Sequence, residues 1–364
     1  MKILMLSTDE SILQKGSHAQ NRMAFYSEAV DELHVVILSA QKYKENRIGD
    51  YLWIESTGSK SILWSWWTMY YISRKIHNKH KIQLVTTQDE YTAITGYLLQ
   101  CIHGVPWQAQ IHGDMFSPYY RSQSILHRFR GLLSRLLYGR ASCVRVVSEA
   151  IAQQLRKRGK VKRITILPVF MEYTPSIYTR SGEVIDPRIL VVARLEKEKN
   201  VEFAINVFSQ IASFIPNSTL VIAGNGREQK KLENIAKRSQ SPVQFLGWLN
   251  TEELNREYTN ASLLFVPSLY ESYGRQILEA LVRGVPVVTT NVGIASEYII
   301  DDVNGYVIDI GDEAAFIGRM KSIFSIPGKL AQLQNGAQQS SVHLFSKEDY
   351  LGHLKRSWEY CITR

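Results

Sequence analysis

In the second half of the chain, apolar runs of strand length alternate with stretches of helical spacing, again and again. Few folds accommodate that pattern. Residues 188–193 (RILVVA), 218–223 (STLVIA), 243–246, 263–266 and 285–289 read as strands. Between them, residues 201–214, 227–238, 251–260 and 273–283 have helical spacing. Strands that are almost continuous Val, Ile and Leu, separated by helices, belong to a parallel sheet covered on both faces. The first half repeats the arrangement less regularly, with strands expected at 2–6, 33–38, 84–86, 107–111 and 143–147. A chain of 364 residues exceeds what one core usually organises, and 45% apolar residues can fill two. The expected domains are 1–168 and 188–345. Residues 169–187 form a linker within a stretch holding three prolines, and 346–364 form a terminal helix.

Composition removes several classes. Charged residues at 21% and ordinary Gly and Pro contents exclude disordered and fibrous chains. Cys101, Cys143 and Cys361 show no paired spacing that would mark a metal site or a disulfide framework, so a reducing compartment is expected. The opening MKILMLSTDES reads as a first strand, not a signal peptide. No run approaches the roughly 18 apolar residues of a membrane span. A cytoplasmic protein is expected. The net charge of +9 calls for an anionic partner, and nucleic acid, phospholipid and nucleotide phosphates all qualify.

Parallel α/β sheets bind ligands beyond the carboxyl ends of their strands. After strand 188–193 come Arg194 and Lys199, a planar fork and a mobile point charge that suit a diphosphate. After strand 263–266 comes PSLYESYGRQILEA, residues 267–280. There Gly274 allows close backbone approach, and the amides of Tyr273 to Gln276 open a helix whose N-terminus favours phosphate. Glu271 precedes that helix and Glu279 lies within it, placed to accept hydrogen bonds from two sets of sugar hydroxyls. Taken alone, the cations are also readable as solvated surface charges and the glutamates as capping residues.

The run ESYGRQILEALVRGVPVVTTNVGIASEYIIDDVNG strongly resembles the Glu-x7-Glu region of glycosyltransferase family 4, retaining enzymes of the GT-B fold. ARLEKEKN resembles that family's Arg-x4-Lys phosphate clamp, AGNGREQKKLE its strand-turn-helix, and FLGW the segment lining the nucleobase. The resemblance implies two Rossmann-like doubly wound domains facing a central cleft, with the terminal helix packed on the first. It implies a nucleotide-diphosphate sugar donor, UDP- or GDP-linked, and a glycan or lipid-linked acceptor in envelope polysaccharide or glycolipid synthesis. Neither cofactor nor metal is implied. Arg194 and Lys199 would hold the diphosphate, Glu279 the ribose and Glu271 the transferred sugar. Gly224, Gly247, Ser272, Tyr273, Gly274, Arg275 and Gln276 would complete the donor site. In the first domain, Ile111-His112-Gly113-Asp114 resembles the cleft-facing histidine motif, with His112 on a sugar hydroxyl and Asp114 near sugar or acceptor. The family's glycine-rich pair is reduced to Gly16 in QKGSHAQ, and Val192-Ala193 replaces the glycine before the clamp arginine.

Positive charge clusters in residues 121–163, where Arg128, Arg130, Arg135, Arg140, Arg156, Lys157, Arg158, Lys160, Lys162 and Arg163 interleave with Leu126, Phe129, Leu132, Leu133, Leu136 and Leu137. Trp64, Trp66, Trp67, Tyr70 and Tyr71, followed by Arg74 and Lys75, add aromatics of interfacial type. An anionic membrane surface is the expected partner, against a core-facing helix with a solvated basic face. Asp89-Glu90 and Asp301-Asp302 are read as solvated loop acids rather than metal ligands. A nicotinamide dehydrogenase lacks its Gly-x-Gly-x-x-Gly after any expected strand, and no nucleic-acid-binding module is present. A UDP-sugar epimerase of the same architecture and a non-catalytic partner subunit remain as alternatives.

Overall fold

The apolar runs of the first half assemble into an eight-stranded sheet, and those of the second half into a six-stranded one. The computed structural model describes residues 1–43, 46–59, 61–113, 117–122, 124–159, 161–171, 186–340 and 345–363. Two units result, Met1–Phe170 with Phe345–Arg364, and Met171–Leu344. Most of the expected linker, residues 172–185, lies outside the described residues.

In the first unit the strands are β1 (Lys2–Ser7), β2 (Glu32–Ile37), β3 (Asn46–Ile48), β4 (Leu52–Ser56), β5 (Leu84–Thr87), β6 (Trp107–Ile111), β7 (Cys143–Val146) and β8 (Ile164–Ile166). Their order is β3-β4-β2-β1-β5-β6-β7-β8, parallel except for the edge strand β3, which runs antiparallel to β4. The helices are α1 (His18–Ser27), α2 (Ile62–His80), α3 (Glu90–His103), α4 (Pro118–Ser122), α5 (Ile125–Leu137) and α6 (Glu149–Lys157). Side-chain oxygens of Ser17, Asp89 and Ser148 cap α1, α3 and α6 by accepting an amide N–H of the first turn. Helix α3 lies close on β6 because Gly96 has no side chain. A Cβ there would come within 2.5 Å of Trp107 Nε1, which donates to Thr87 Oγ1.

The second unit holds β9 (Arg188–Val192), β10 (Thr219–Ala223), β11 (Val243–Gly247), β12 (Leu263–Val266), β13 (Val287–Thr290) and β14 (Gly305–Ile308), all parallel in the order β11-β10-β9-β12-β13-β14. Its helices are α7 (Val201–Ile211), α8 (Gln229–Ser239), α9 (Thr251–Asn260), α10 (Arg275–Leu281), α11 (Ala295–Tyr298), α12 (Glu313–Ser325) and α13 (Lys329–Gln339). A capping box of Asn250 and Glu253 starts α9. Ile205, Phe208, Phe265, Phe316 and Met320 fill the core against the sheet.

The last helix, α14 (Lys347–Ile362), packs in the first unit. Its Tyr350, Leu354, Trp358 and Cys361 recur at helical spacing and are buried in that unit's core. Gln108 Nε2 donates to Ser357 O and Oγ, both at 3.1 Å. One expectation is corrected here: Cys143 of β7 and Cys361 of α14 form a disulfide, with Cα atoms 5.4 Å apart. A separation of 218 residues hid that pairing. No helix among the described residues is long and apolar enough to cross a membrane.

Candidate functional site

In a doubly wound sheet the strand order reverses at one point, and the loops leaving the carboxyl ends there splay apart to form a crevice. In the second unit the reversal falls between β9 and β12. The loop after β9 is pressed onto the loop after β10, which requires glycine. A Cβ on Gly224 (φ 129°) would sit 1.9 Å from Ala193 O, and one on Gly226 2.4 Å from Leu195 O. A bond from Leu269 N–H to Glu198 O, 2.8 Å, ties the two switch-point loops together.

Lys199 and Glu271, distant in sequence, meet at this point. Lys199 Nζ lies 2.6 Å from Glu271 Oε2, while Ser268 Oγ and Gln276 Nε2 each donate to Glu271 Oε1 at 2.8 Å. Glu271 is only 5% exposed, so a charged carboxylate is held by one cation and two neutral donors. Arg194 stands at the rim, mostly exposed, with Nη2 3.1 Å from Glu198 Oε1. Glu279 accepts from Tyr258 Oη at 2.8 Å and pairs with Arg275, whose Nε lies 2.7 Å from Oε1. Burial, reinforced by the Glu279 carboxylate, raises the Tyr258 phenol well above its usual range, which keeps it a donor. The helix between the glutamates starts at Arg275 rather than Tyr273, because Gly274 (φ 92°) forms the N-cap. Tyr273 is buried and its carbonyl accepts from Ile294 N–H at 2.8 Å, while Ser272 stays exposed. Gly247 (φ 69°) turns the chain after β11 and leaves Trp248 71% exposed.

The first unit has its own reversal, between β1 and β5. A cavity of about 340 Å³ opens there, lined by residues that follow β1 (Thr8, Asp9), β5 (Gln88, Asp89) and β6 (His112). His112 has an exposed face, yet it forms part of the concave wall. Partial loss of hydration against the wall lowers its pKa, and the cations Arg145 and Arg22 push it the same way. Gly16 (φ 75°) lies in the turn before α1, its N–H donating to Gln20 Oε1 at 3.0 Å. Asp114 lies outside the described residues.

Asp89 and Glu90 are not solvated loop acids, a second correction. Asp89 caps α3 and also accepts from Thr8 N and Oγ1, and burial raises its pKa. Glu90 is 4% exposed and paired with Arg130 Nη2 at 3.1 Å. Among the described residues, one group has metal-ligand character: Glu32, His34 and His80, at the amino end of β2 and the end of α2. There Lys2 Nζ already lies 2.6 Å from Glu32 Oε1, and Glu32 Oε2 is 2.7 Å from His80 Nδ1 and 3.1 Å from His34 Nε2. Burial pushes Glu32 up, but the bonds from Lys2, His34 and His80 outweigh it and bring its pKa to about 2.

On α2, Trp64, Trp67 and Tyr71 are 67–69% exposed and continue into exposed Arg74 and Lys75, whereas Trp66 and Tyr70 turn inward. Helix α3, beside α2 and α5, exposes Leu98 and Ile102, and α5 exposes Leu132 and Leu136 together with Arg128 and Arg135. Several cations of the 121–163 cluster are engaged: Arg130 with Glu90, Arg156 with Glu149, and Arg163 over the Tyr360 ring. The side chains of Leu126 and Phe129, and all of Lys160, lie outside the described residues. Ser268, Tyr258, Arg22 and Arg145 were not singled out from sequence. The last carried a signal, a lone charge inside the apolar strand CVRVV.

The fold is that of GT-B glycosyltransferases. The structure resembles sucrose-phosphate synthase from Thermosynechococcus elongatus with a TM-score of 0.78 and 17% identity, covering 99% of this chain and 98% of that one. It resembles Anabaena HepE, solved in complex with UDP and glucose, with a TM-score of 0.71 and 18% identity over 99% of both chains. In sequence, the family described as Glycosyltransferase Family 4 matches residues 27–171, and that described as Glycosyl transferases group 1 matches residues 182–340. The chain belongs to glycosyltransferase family 4. An uncharacterised glycosyltransferase of Methanocaldococcus jannaschii is 38% identical over 32% of this chain and 30% of its own length. The match spans about a third of the length of the curated relatives first found.

Proposed function

We propose that the chain moves a hexosyl group from a UDP- or GDP-linked donor to a glycan or lipid-linked acceptor, retaining the anomeric configuration. The observation that carries this reading is the buried Lys199–Glu271 pair at the β9/β12 reversal, with Arg194 and Glu279 flanking it. A diphosphate entering there gains Arg194 and Lys199 as counter-charges, and the Glu279 carboxylate accepts from ribose hydroxyls. Glu271 then exchanges part of its hold on Lys199 for hydroxyls of the transferred sugar. The complex of HepE with UDP and glucose supports such a donor.

Glu271 is held by three donors and is not free to attack an anomeric carbon. In this reading the leaving diphosphate takes the acceptor's proton on the same face of the sugar, which gives retention. Stabilisation of its charge is the main catalytic term. The exposed aromatic, leucine and arginine side chains of α2, α3 and α5 favour work at an anionic membrane surface, as at the cytoplasmic face of a cell envelope making polysaccharide or glycolipid.

The test is a thermal-shift panel of nucleotide sugars. A ligand bound only by the folded chain raises its melting temperature by an amount set by its concentration over Kd. One or more UDP- or GDP-sugars should shift wild type and fail to shift Lys199→Ala. A panel with no shift, or equal shifts in both proteins, overturns the proposal.

A further inference from the structure

The first unit's cavity contains a cation that no carboxylate among the described residues pairs with. Arg145 projects from β7, next to the edge strand β8, and is 4% exposed. Its Nη2 donates to Gln110 Oε1, while Nη1 has no hydrogen-bond partner, and among the described residues no carboxylate pairs with it. A buried guanidinium without a counter-charge loses its hydration and regains little, so such groups are retained where a ligand completes them.

A second cation lines the same wall. Arg22, from α1, lines the same cavity, and among the described residues Asp9 is the one carboxylate paired with it, at 3.4 Å. The two carboxylates on the wall are already engaged. Asp9 accepts from Ser11 N and Oγ, and Asp89 from Thr8 and Thr92. Tyr26 and Tyr350, whose hydroxyls lie 3.3 Å apart, add neutral polar groups on the wall. His112, just past the end of the adjacent strand β6, responds to both arginines, which disfavour its protonated form.

We infer that this cavity binds an acceptor bearing an oxyanion, a phosphoryl or carboxylate group, which docks on Arg145 with Arg22 beside it and leaves the acceptor's sugar hydroxyls facing His112. A planar guanidinium held on one side by Gln110 presents its remaining N–H groups to two oxygens of one anion, as lysine would not. The inference rests on the reading of the first unit as the acceptor-binding part. It narrows the acceptor to an acidic glycan or a phosphate-linked lipid or sugar, and neutral acceptors fall outside it.

The experiment is calorimetric titration of the full chain, first saturated with UDP, with glucose 1-phosphate, glucuronate and glucose. Glucose 1-phosphate, glucuronate or both should bind, and glucose should not. Arg145→Gln should weaken the binding at least tenfold, and Arg22→Gln should weaken it less. Binding of the phosphate alone identifies a phosphoryl acceptor, and of glucuronate alone an acidic sugar. Neither binding, or unchanged binding in a folded Arg145→Gln chain, overturns the inference. Should Arg145→Gln fail to fold, ring-nitrogen NMR of wild type decides: the bound oxyanion should raise the His112 pKa, and an unmoved titration counts against it. Failure of UDP itself to bind overturns the donor reading instead, since the dependence on Arg145 is still read in its absence.

Discussion

Lys199→Met separates two roles that the buried pair combines. In the native protein the ammonium lies 2.6 Å from a carboxylate that is 5% exposed. Removing one partner of a buried pair costs about 3 to 5 kcal/mol, because the other is left as an uncompensated buried charge. Glu271 keeps its bonds from Ser268 and Gln276, which places the loss near the lower end, about 3 kcal/mol. For a unit of this size that corresponds to a fall of roughly 6 to 12 °C in melting temperature. Neutralising the carboxylate as well, in Lys199→Met/Glu271→Gln, removes the stranded charge and should recover all but about 1 kcal/mol. Donor binding should not recover, since the charge-assisted contact to diphosphate is absent in both variants, a loss of roughly 1.5 to 3 kcal/mol. Hydrogen exchange of peptides from β9 and β12 reads stability in the second unit alone, and calorimetry with UDP reads binding. A double variant that binds UDP as wild type does would refute the donor role of Lys199. A single variant losing under about 1 kcal/mol would refute the uncompensated-charge argument.

Glu279→Ala should weaken nucleotide binding and remove the Tyr258–Glu279 hydrogen bond, and an unchanged Kd for UDP by calorimetry would reassign the ribose contact. Because the folded pKa of Glu32 is depressed to about 2 from 4.5, its contribution to stability is present above pH 4.5 and lost as pH falls towards 2. Urea midpoints of wild type and Glu32→Gln should therefore differ at pH 6 and converge near pH 2, and a constant difference would count against the assignment. Cosedimentation with anionic vesicles should be salt-sensitive, and Arg74→Ala/Lys75→Ala should lose about 2 kcal/mol of it. Equal binding to neutral vesicles would remove the membrane-surface reading.

The sequence made the sheets legible where strands are central and buried on both faces. Runs such as RILVV and LLFV have no other economical reading, and β9 and β12 formed there. The strands it hid are short or at the edges: β3, β4 with its alternating LWIES, β8 and β14. Their three to five residues are too few to establish a period. At the second unit's switch point Arg194, Lys199, Glu271 and Glu279 were accessible because strand ends announce ligand loops. Their actual partners, Ser268, Gln276 and Tyr258, depend on side-chain geometry. Glu90 was read as a solvated loop acid and Arg130 as one of a membrane-facing basic cluster, and only the packing of α5 beside α3 brings the two together. The Cys143–Cys361 bridge and the Arg145 cavity escaped for the same reason, since α14 reaches the first unit from the far end of the chain.

The central claim is transfer of a sugar from a nucleotide donor without inversion, and proton NMR of the freshly formed product reads it directly. With an α-linked nucleotide sugar, the anomeric coupling constant of the product, whether a glycoside or the sugar released to water, should be that of an α anomer before mutarotation. The Lys199→Ala chain should form it far more slowly, because the leaving diphosphate has lost a counter-charge. A β product, or an altered free sugar formed equally fast with and without acceptor, would contradict the account.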